Sequence, residues 1–169
     1  GFTEVKAAPP WFHTMVVFAA HTGARKSELI RARCEDVDLE HGIVTVREKK
    51  RVKGKRTTRR VTMSTTLTGL MRQRLEAQKG HEYLFGTGVK PLSVQAVHKA
   101  LWRALKSSKW KVLKGWHVLR HSFISALASQ GVDQRVLQDM CGHMTQDMQR
   151  RYTHLYPSTK EDAIRSVFG

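Results

Sequence analysis

Ile43-Val44-Thr45-Val46-Arg47-Glu48-Lys49-Lys50-Arg51-Val52-Lys53-Gly54-Lys55-Arg56-Thr57-Thr58-Arg59-Arg60-Val61-Thr62-Met63 is the stretch on which the fold class turns. Its ends, Ile43–Val46 and Arg60–Met63, read as two antiparallel strands, joined by a basic hairpin with Lys53-Gly54-Lys55 at its tip. Just upstream, Asp36-Val37-Asp38 and His41-Gly42 read as turns leading into the first strand. Tyr83-Leu84-Phe85 is the candidate third strand. Most of the remaining chain carries apolar residues at helical spacing, so the expected fold is α+β, mainly α-helical, with one small three-stranded antiparallel sheet.

The expected helices flank that hairpin. Trp11 to Ala20 is apolar almost all round and reads as a buried helix with Pro10 near its first turn, ended by Thr22-Gly23. A short helix from Ala24 to Arg33 follows. Leu67, Leu70, Met71, Arg74 and Leu75 mark another, ending by Gly80. Ser93 caps a helix running to about Lys106, with Val94, Val97, Leu101 and Leu105 on one side. After a basic loop, His117–Gln130 reads as a helix with a core stripe of Leu119, Phe123, Ala126 and Leu127, terminated by Gly131. Asp133 caps the next helix, and a short amphipathic stretch after Gly142 carries Tyr152. Pro157 breaks it, and Ser158 with Glu161 forms a capping box for a last helix, Thr159–Phe168.

Charge narrows the partner. The 169 residues hold 30 Lys and Arg against 14 Asp and Glu, a formal charge of +16, more than solubility requires. Nine of the fourteen residues from Arg47 to Arg60 are basic, and no Asp or Glu occurs between Tyr83 and Val132. Two such regions in a domain this small point to a polyanion, and to nucleic acid before a pair of merely solvated faces. No apolar run approaches a membrane span. Cys34 and Cys141 stand alone, outside any CxxC or His cluster, and read as structural thiols in a reducing cytosol. Neither a metal cluster nor a P-loop or dinucleotide motif is present, so no cofactor is expected.

Three segments carry residues suited to phosphoryl transfer: Thr22-Gly23-Ala24-Arg25-Lys26-Ser27-Glu28-Leu29, His117-Val118-Leu119-Arg120-His121, and Gly142-His143 followed nine residues later by Tyr152. Guanidinium groups match the charge that develops on a phosphodiester under attack, a role for Arg25 and Arg120. His117 and Arg120, at i and i+3, share a helix face. His121 lies close by on the same helix. A tyrosyl hydroxyl, with an ordinary pKa of about 10, becomes a nucleophile only beside a base and cations.

In order and spacing these segments resemble the tyrosine recombinase (phage integrase) family, over nearly the whole chain. The resemblance implies a DNA breaking-rejoining fold and a site-specific recombinase that cuts and reseals DNA through a 3′-phosphotyrosyl link. It implies Tyr152 as nucleophile, selected over Tyr83 and Tyr156 by Gly142-His143 through Arg151-Tyr152-Thr153-His154. It also implies Arg25 and Arg120 as phosphate clamps, His117 helping to hold or accept the tyrosine proton, and His143 bonding the scissile phosphate. A hairpin lysine would protonate the leaving 5′-oxygen. Lys50 is preferred, with Lys49, Lys53 and Lys55 as alternatives. Cys141, Asp147-Met148 and Thr62 depart from the usual pattern without removing a catalytic group.

By the same resemblance, residues 1–169 are a catalytic domain whose N-terminal DNA-binding domain is expected to be absent, monomeric alone and tetrameric on DNA in the full-length protein. The expected setting is the cytoplasm, at the nucleoid. A type IB topoisomerase or a non-catalytic DNA-binding protein would share many of these features. An RNA-binding module would need stacking aromatic residues on its sheet, and the two hairpin strands carry none.

Overall fold

The computed structural model describes residues 8–155 and 160–169, the side chains of residues 50, 51, 160, 161 and 163 excepted. The expected capping box at Ser158 and Glu161, the break at Pro157 and the rival Tyr156 lie outside the described residues.

Eight α-helices are described: α1 (Phe12–Thr22), α2 (Lys26–Arg31), α3 (Thr65–Ala77), α4 (Val94–Leu105), α5 (His117–Ser129), α6 (Gln134–Cys141), α7 (Gln146–Thr153) and α8 (Lys160–Phe168). Polar caps set several of their starts. Ser64, Ser93, Asp133 and Thr145 each accept a bond from a main-chain N–H in the first turn of α3, α4, α6 and α7. The antiparallel sheet has the order β1-β2-β3, with β1 Val37–Asp38, β2 Ile43–Val52 and β3 Lys55–Thr62.

The sheet departs from expectation in two ways. The third strand is Val37–Asp38, which pairs with Val44 and Ile43, and not Tyr83-Leu84-Phe85. Gly42, at φ +65°, reverses the chain tightly enough to lay residues 37–38 beside β2, while His41 donates its main-chain N–H to Asp38. Tyr83 forms only a bridge to Arg33, and Leu84 and Phe85 plug the core, where an extended edge strand would have exposed half of their surface. The hairpin strands also run several residues further into the basic region than their apolar ends indicated. Lys53 and Gly54 both take positive φ, 49° and 78°, as a two-residue turn matched to strand twist requires, so pairing continues to Val52 and Lys55. The register shifts between Arg47 and Arg51.

Apolar side chains gather into two clusters. The larger unites α1, α2, the sheet, α3 and α4, with Met15, Phe18, Leu29, Val44, Val61, Leu67, Leu84 and Phe85 fully enclosed. The smaller unites α5, α6 and α7 through Ile124, Ala128, Leu137, Cys141, Met144 and Tyr152. Helix α5 belongs to both, and this corrects its expected core stripe: Arg120, Ile124 and Ala128 are the buried positions, Leu119, Phe123 and Leu127 are half-buried, and Ala126 is exposed. A helix packed on two sides needs a stripe wider than one row, and Arg120 lies within it. Gly23, at φ +65°, permits the approach, because a Cβ there would sit 2.6 Å from the Phe123 ring.

Candidate active site

The C-terminal end of α6 is where the candidate residues meet. A helix end presents unpaired carbonyls and a partial negative charge, which cations satisfy. Three arginines from three other elements do so here. Arg59 on β3 donates Nε–H to the Met140 carbonyl at 2.9 Å, Arg120 on α5 donates Nη1–H to the Cys141 carbonyl at 2.7 Å, and Arg25 donates Nη2–H to the His143 carbonyl at 3.0 Å.

Arg25 is the N-cap of α2, held extended immediately after the Gly23 turn. Glu28, one turn on, accepts the Arg25 main-chain N–H at 2.8 Å and its Nη1–H at 3.1 Å. Burial alone would raise the Glu28 pKa, but Arg59 and Arg25 outweigh it and leave the carboxyl below its ordinary value. Arg25, Lys49, Gly142 and His143 line one broad cleft of about 930 Å³ with Ser27, Glu48 and Arg59.

Arg120 is 3% exposed. Its Nη1 also donates to the Gly23 carbonyl at 2.7 Å, so one guanidinium joins the turn before Arg25 to the residue before Gly142. Its Nε and Nη2 are buried with no hydrogen-bond partner. Burial, reinforced by the neighbouring Arg25, pulls its pKa down to about 10, which still leaves it charged at neutral pH.

Tyr152, on α7, is 6% exposed and sits in the smaller apolar cluster, with its hydroxyl on His121 Nδ1. Burial raises the phenol's pKa although Arg120 and Arg151 oppose the shift, and burial with the nearby His117, Arg151 and Arg120 lowers that of His121. The pair is therefore held neutral. Tyr152 does not line the cleft shared by Arg25 and His143. It faces a small cavity between α6 and α7, with Leu137, Met144 and Gln149.

His117, at the first position of α5, is exposed and one turn from His121. Lys49 is the hairpin lysine on the cleft, while the Lys50 side chain is outside the described part. Arg25, Arg120 and His143 are thus brought to one helix end, the Tyr152 hydroxyl to His121, the residue following Arg120, and Lys53 and Lys55 to the exposed hairpin tip.

Glu28, Glu48 and Arg59 were not singled out from the sequence. Arg59 had a signal: it alternates with Val61 on the inward face of β3. Glu28 had one too, as an acid in a helix first turn inside the Thr22–Leu29 segment, although no role was assigned to it. Among the described residues no group of three or more His, Cys, Asp or Glu could hold a metal ion, and no helix is long and apolar enough to cross a membrane.

This arrangement has known relatives. Tyrosine recombinase XerA of Pyrococcus furiosus is 28% identical over 152 residues, covering 89% of this chain and 52% of that protein. Tyrosine recombinase XerD of Staphylococcus aureus is 35% identical over 155 residues, covering 86% and 50%. The chain spans about half the length of the curated relatives it matches. Among solved structures, the catalytic domain of bacteriophage HP1 integrase superposes with a TM-score of 0.68 at 28% identity, covering 97% of this chain and 87% of that one. The Tn1549 transposon integrase, solved in complex with transposon right end DNA, shares the fold with a TM-score of 0.72 at 19% identity, covering 98% and 61%. The sequence profile of the phage integrase family matches residues 2–159, a span that holds all three arginine-bearing segments and Tyr152, and the chain belongs to that family.

Proposed function

We propose that the chain cleaves and rejoins double-stranded DNA at specific sites through Tyr152, as the catalytic domain of a tyrosine recombinase. The observation that carries this reading is Arg120: a charged guanidinium, buried beside the end of α6, with two donors that no protein group satisfies. Leaving such donors unpaired costs about 1–3 kcal/mol each, a cost that anionic phosphate oxygens would remove.

In the reaction, the Tyr152 oxygen attacks the scissile phosphorus while Arg25 and Arg120 hold the non-bridging oxygens and His143 donates to one of them. The phosphorus–O5′ bond breaks. The phenol's proton passes to the α5 histidines, His117 by the family pattern, with His121 its partner in this structure. O5′ takes a proton from the hairpin, from Lys50 or from the adjacent Lys49, which lines the cleft. The 3′-phosphotyrosyl link conserves the bond energy, so a 5′-hydroxyl can attack it and regenerate Tyr152 without ATP. Tyr152 faces the small cavity between α6 and α7, which shares Gln138, Met144 and Gln149 with the cleft, and Arg120 acts electrostatically on its phenol. The four-protomer assembly on two DNA sites and a place at the nucleoid belong to this same reading.

The test is covalent capture from a pool of nicked duplexes of random sequence. Wild type is expected to yield denaturant-resistant adducts enriched in one sequence, whereas Tyr152→Phe binds and yields none. Adducts from Tyr152→Phe would sink the assignment. Adducts without sequence enrichment, together with relaxation of supercoiled plasmid, would favour a topoisomerase.

A further inference from the structure

We propose that Arg59 is the positioning residue of this site, acting through Glu48 to aim the hairpin lysine at the leaving oxygen; this rests on the function proposed above. The side chain of Arg59 is 5% exposed, and its Nε, Nη1 and Nη2 are all taken up by protein acceptors. It nevertheless touches every element that carries a candidate group of the cleft. Its Nη2 and Nη1 donate to Glu28 at 2.9 and 3.1 Å, and Glu28 holds Arg25. Its Nη1 also meets Glu48 Oε1 at 3.3 Å, and Glu48 is the residue before Lys49. Its Nε donates to the Met140 carbonyl, three residues before His143.

The hairpin needs such a tether. Beyond Arg47 the ladder register shifts, and Lys49, Val52 and Lys53 are exposed, so backbone pairing alone fixes the lysine segment weakly. Glu48 supplies the fixed point. Its second oxygen accepts from Thr57 at 2.8 Å across the hairpin, and its first reaches over Gly142, where any Cβ would overlap it. Only arginine, with a planar fork of five donors, can serve two carboxylates and a carbonyl at once.

The experiment compares a duplex captured in the pool selection with the same duplex carrying sulfur in place of the scissile O5′. A thiolate leaves without a proton, so the sulfur substrate bypasses the general acid. Single-turnover cleavage and DNA affinity are measured for Glu48→Ala, Arg59→Met, Lys49→Ala and Lys50→Ala. Glu48→Ala is expected to bind DNA normally, cleave the oxygen substrate on the order of tenfold slower, and cleave the sulfur substrate within about twofold of wild type. Arg59→Met, which also frees Glu28 and Arg25, is expected to lose about 100-fold on oxygen and to recover about tenfold of that on sulfur.

Equal losses on both substrates for both variants, with a lysine variant rescued by sulfur, would overturn the positioning role and leave the function intact. Failure of sulfur to rescue either lysine variant would instead refute the general-acid reading, and this inference with it. If Arg59→Met does not fold, Glu48→Ala decides the matter alone, since Glu48 lies at the cleft edge rather than in the core.

Discussion

Replacing Gly142 with alanine should destabilise the protein and disorganise the end of α6, and the structure separates the two causes. Gly142 sits at φ +77° and ψ −166°, a region that essentially only glycine occupies, and holding an L residue there costs about 1–3 kcal/mol. The new Cβ would also overlap Glu48 Oε1 and come within 3.3 Å of Arg59 Nη1. The Glu48 carboxylate ends a flexible side chain, so steric relief is cheap. Moving it opens the contact to Arg59, worth about 1 kcal/mol. Backbone strain therefore outweighs the lost contact, and the sum of about 2–4 kcal/mol corresponds to a fall in Tm of roughly 5–10 °C for a domain of this size. Thermal unfolding followed by circular dichroism measures it. In a Glu48→Ala background the cost of Gly142→Ala should shrink by about 1 kcal/mol and no more, because the strain at φ persists. A Gly142→Ala protein melting within about 2 °C of wild type, or a cost abolished by Glu48→Ala, would refute this reasoning.

Four other outcomes follow from the same geometry. Arg120→Lys leaves the Gly23 or Cys141 carbonyl without its donor in a buried site; it should lower stability by about 2–4 kcal/mol in urea unfolding and abolish covalent trapping. Glu28 has a depressed pKa in the fold, so its contribution is complete above its unfolded value of about 4.5 and is lost as pH falls through the folded one; Glu28→Gln should flatten that acid limb in melting curves. His121 also has a lowered folded pKa, which makes protonation oppose folding, so wild-type stability should decline as pH drops below about 6.5 and His121→Gln should decline less. Neutralising Lys53, Lys55 and Arg56 together should reduce the slope of log affinity for duplex DNA against log salt by as much as about 3, whereas Arg59→Met should leave that slope unchanged.

The two kinds of signal in this chain were unequally legible. Caps and turns act over a few residues, so Ser93, Asp133 and the Lys53-Gly54 reversal could be read directly, and each sits where it was expected. The family signature, spread over Arg25, His117, Arg120, His143 and Tyr152, could also be read, because its spacing is a property of the chain. The third strand was misplaced because two residues, Val37 and Asp38, carry no periodicity, and their pairing depends on where Gly42 turns the chain back. The α5 stripe was misread because one helix serves two cores, and no single row of apolar residues records that.

What sequence alone determined is the composition of the chemistry: which guanidinium groups, imidazoles and phenol are available, and the basic hairpin beside them. Tertiary structure decided their geometry. Arg120 became a buried strut only because α5 is packed from both sides, Tyr152 met His121 only because α7 folds its ring into the smaller core, and Arg59 found Glu28, Glu48 and the Met140 carbonyl across separations of 31, 11 and 81 residues. Those contacts join segments distant along the chain, which local propensity cannot encode; they arise from the long-range packing of helices and sheet around the end of α6.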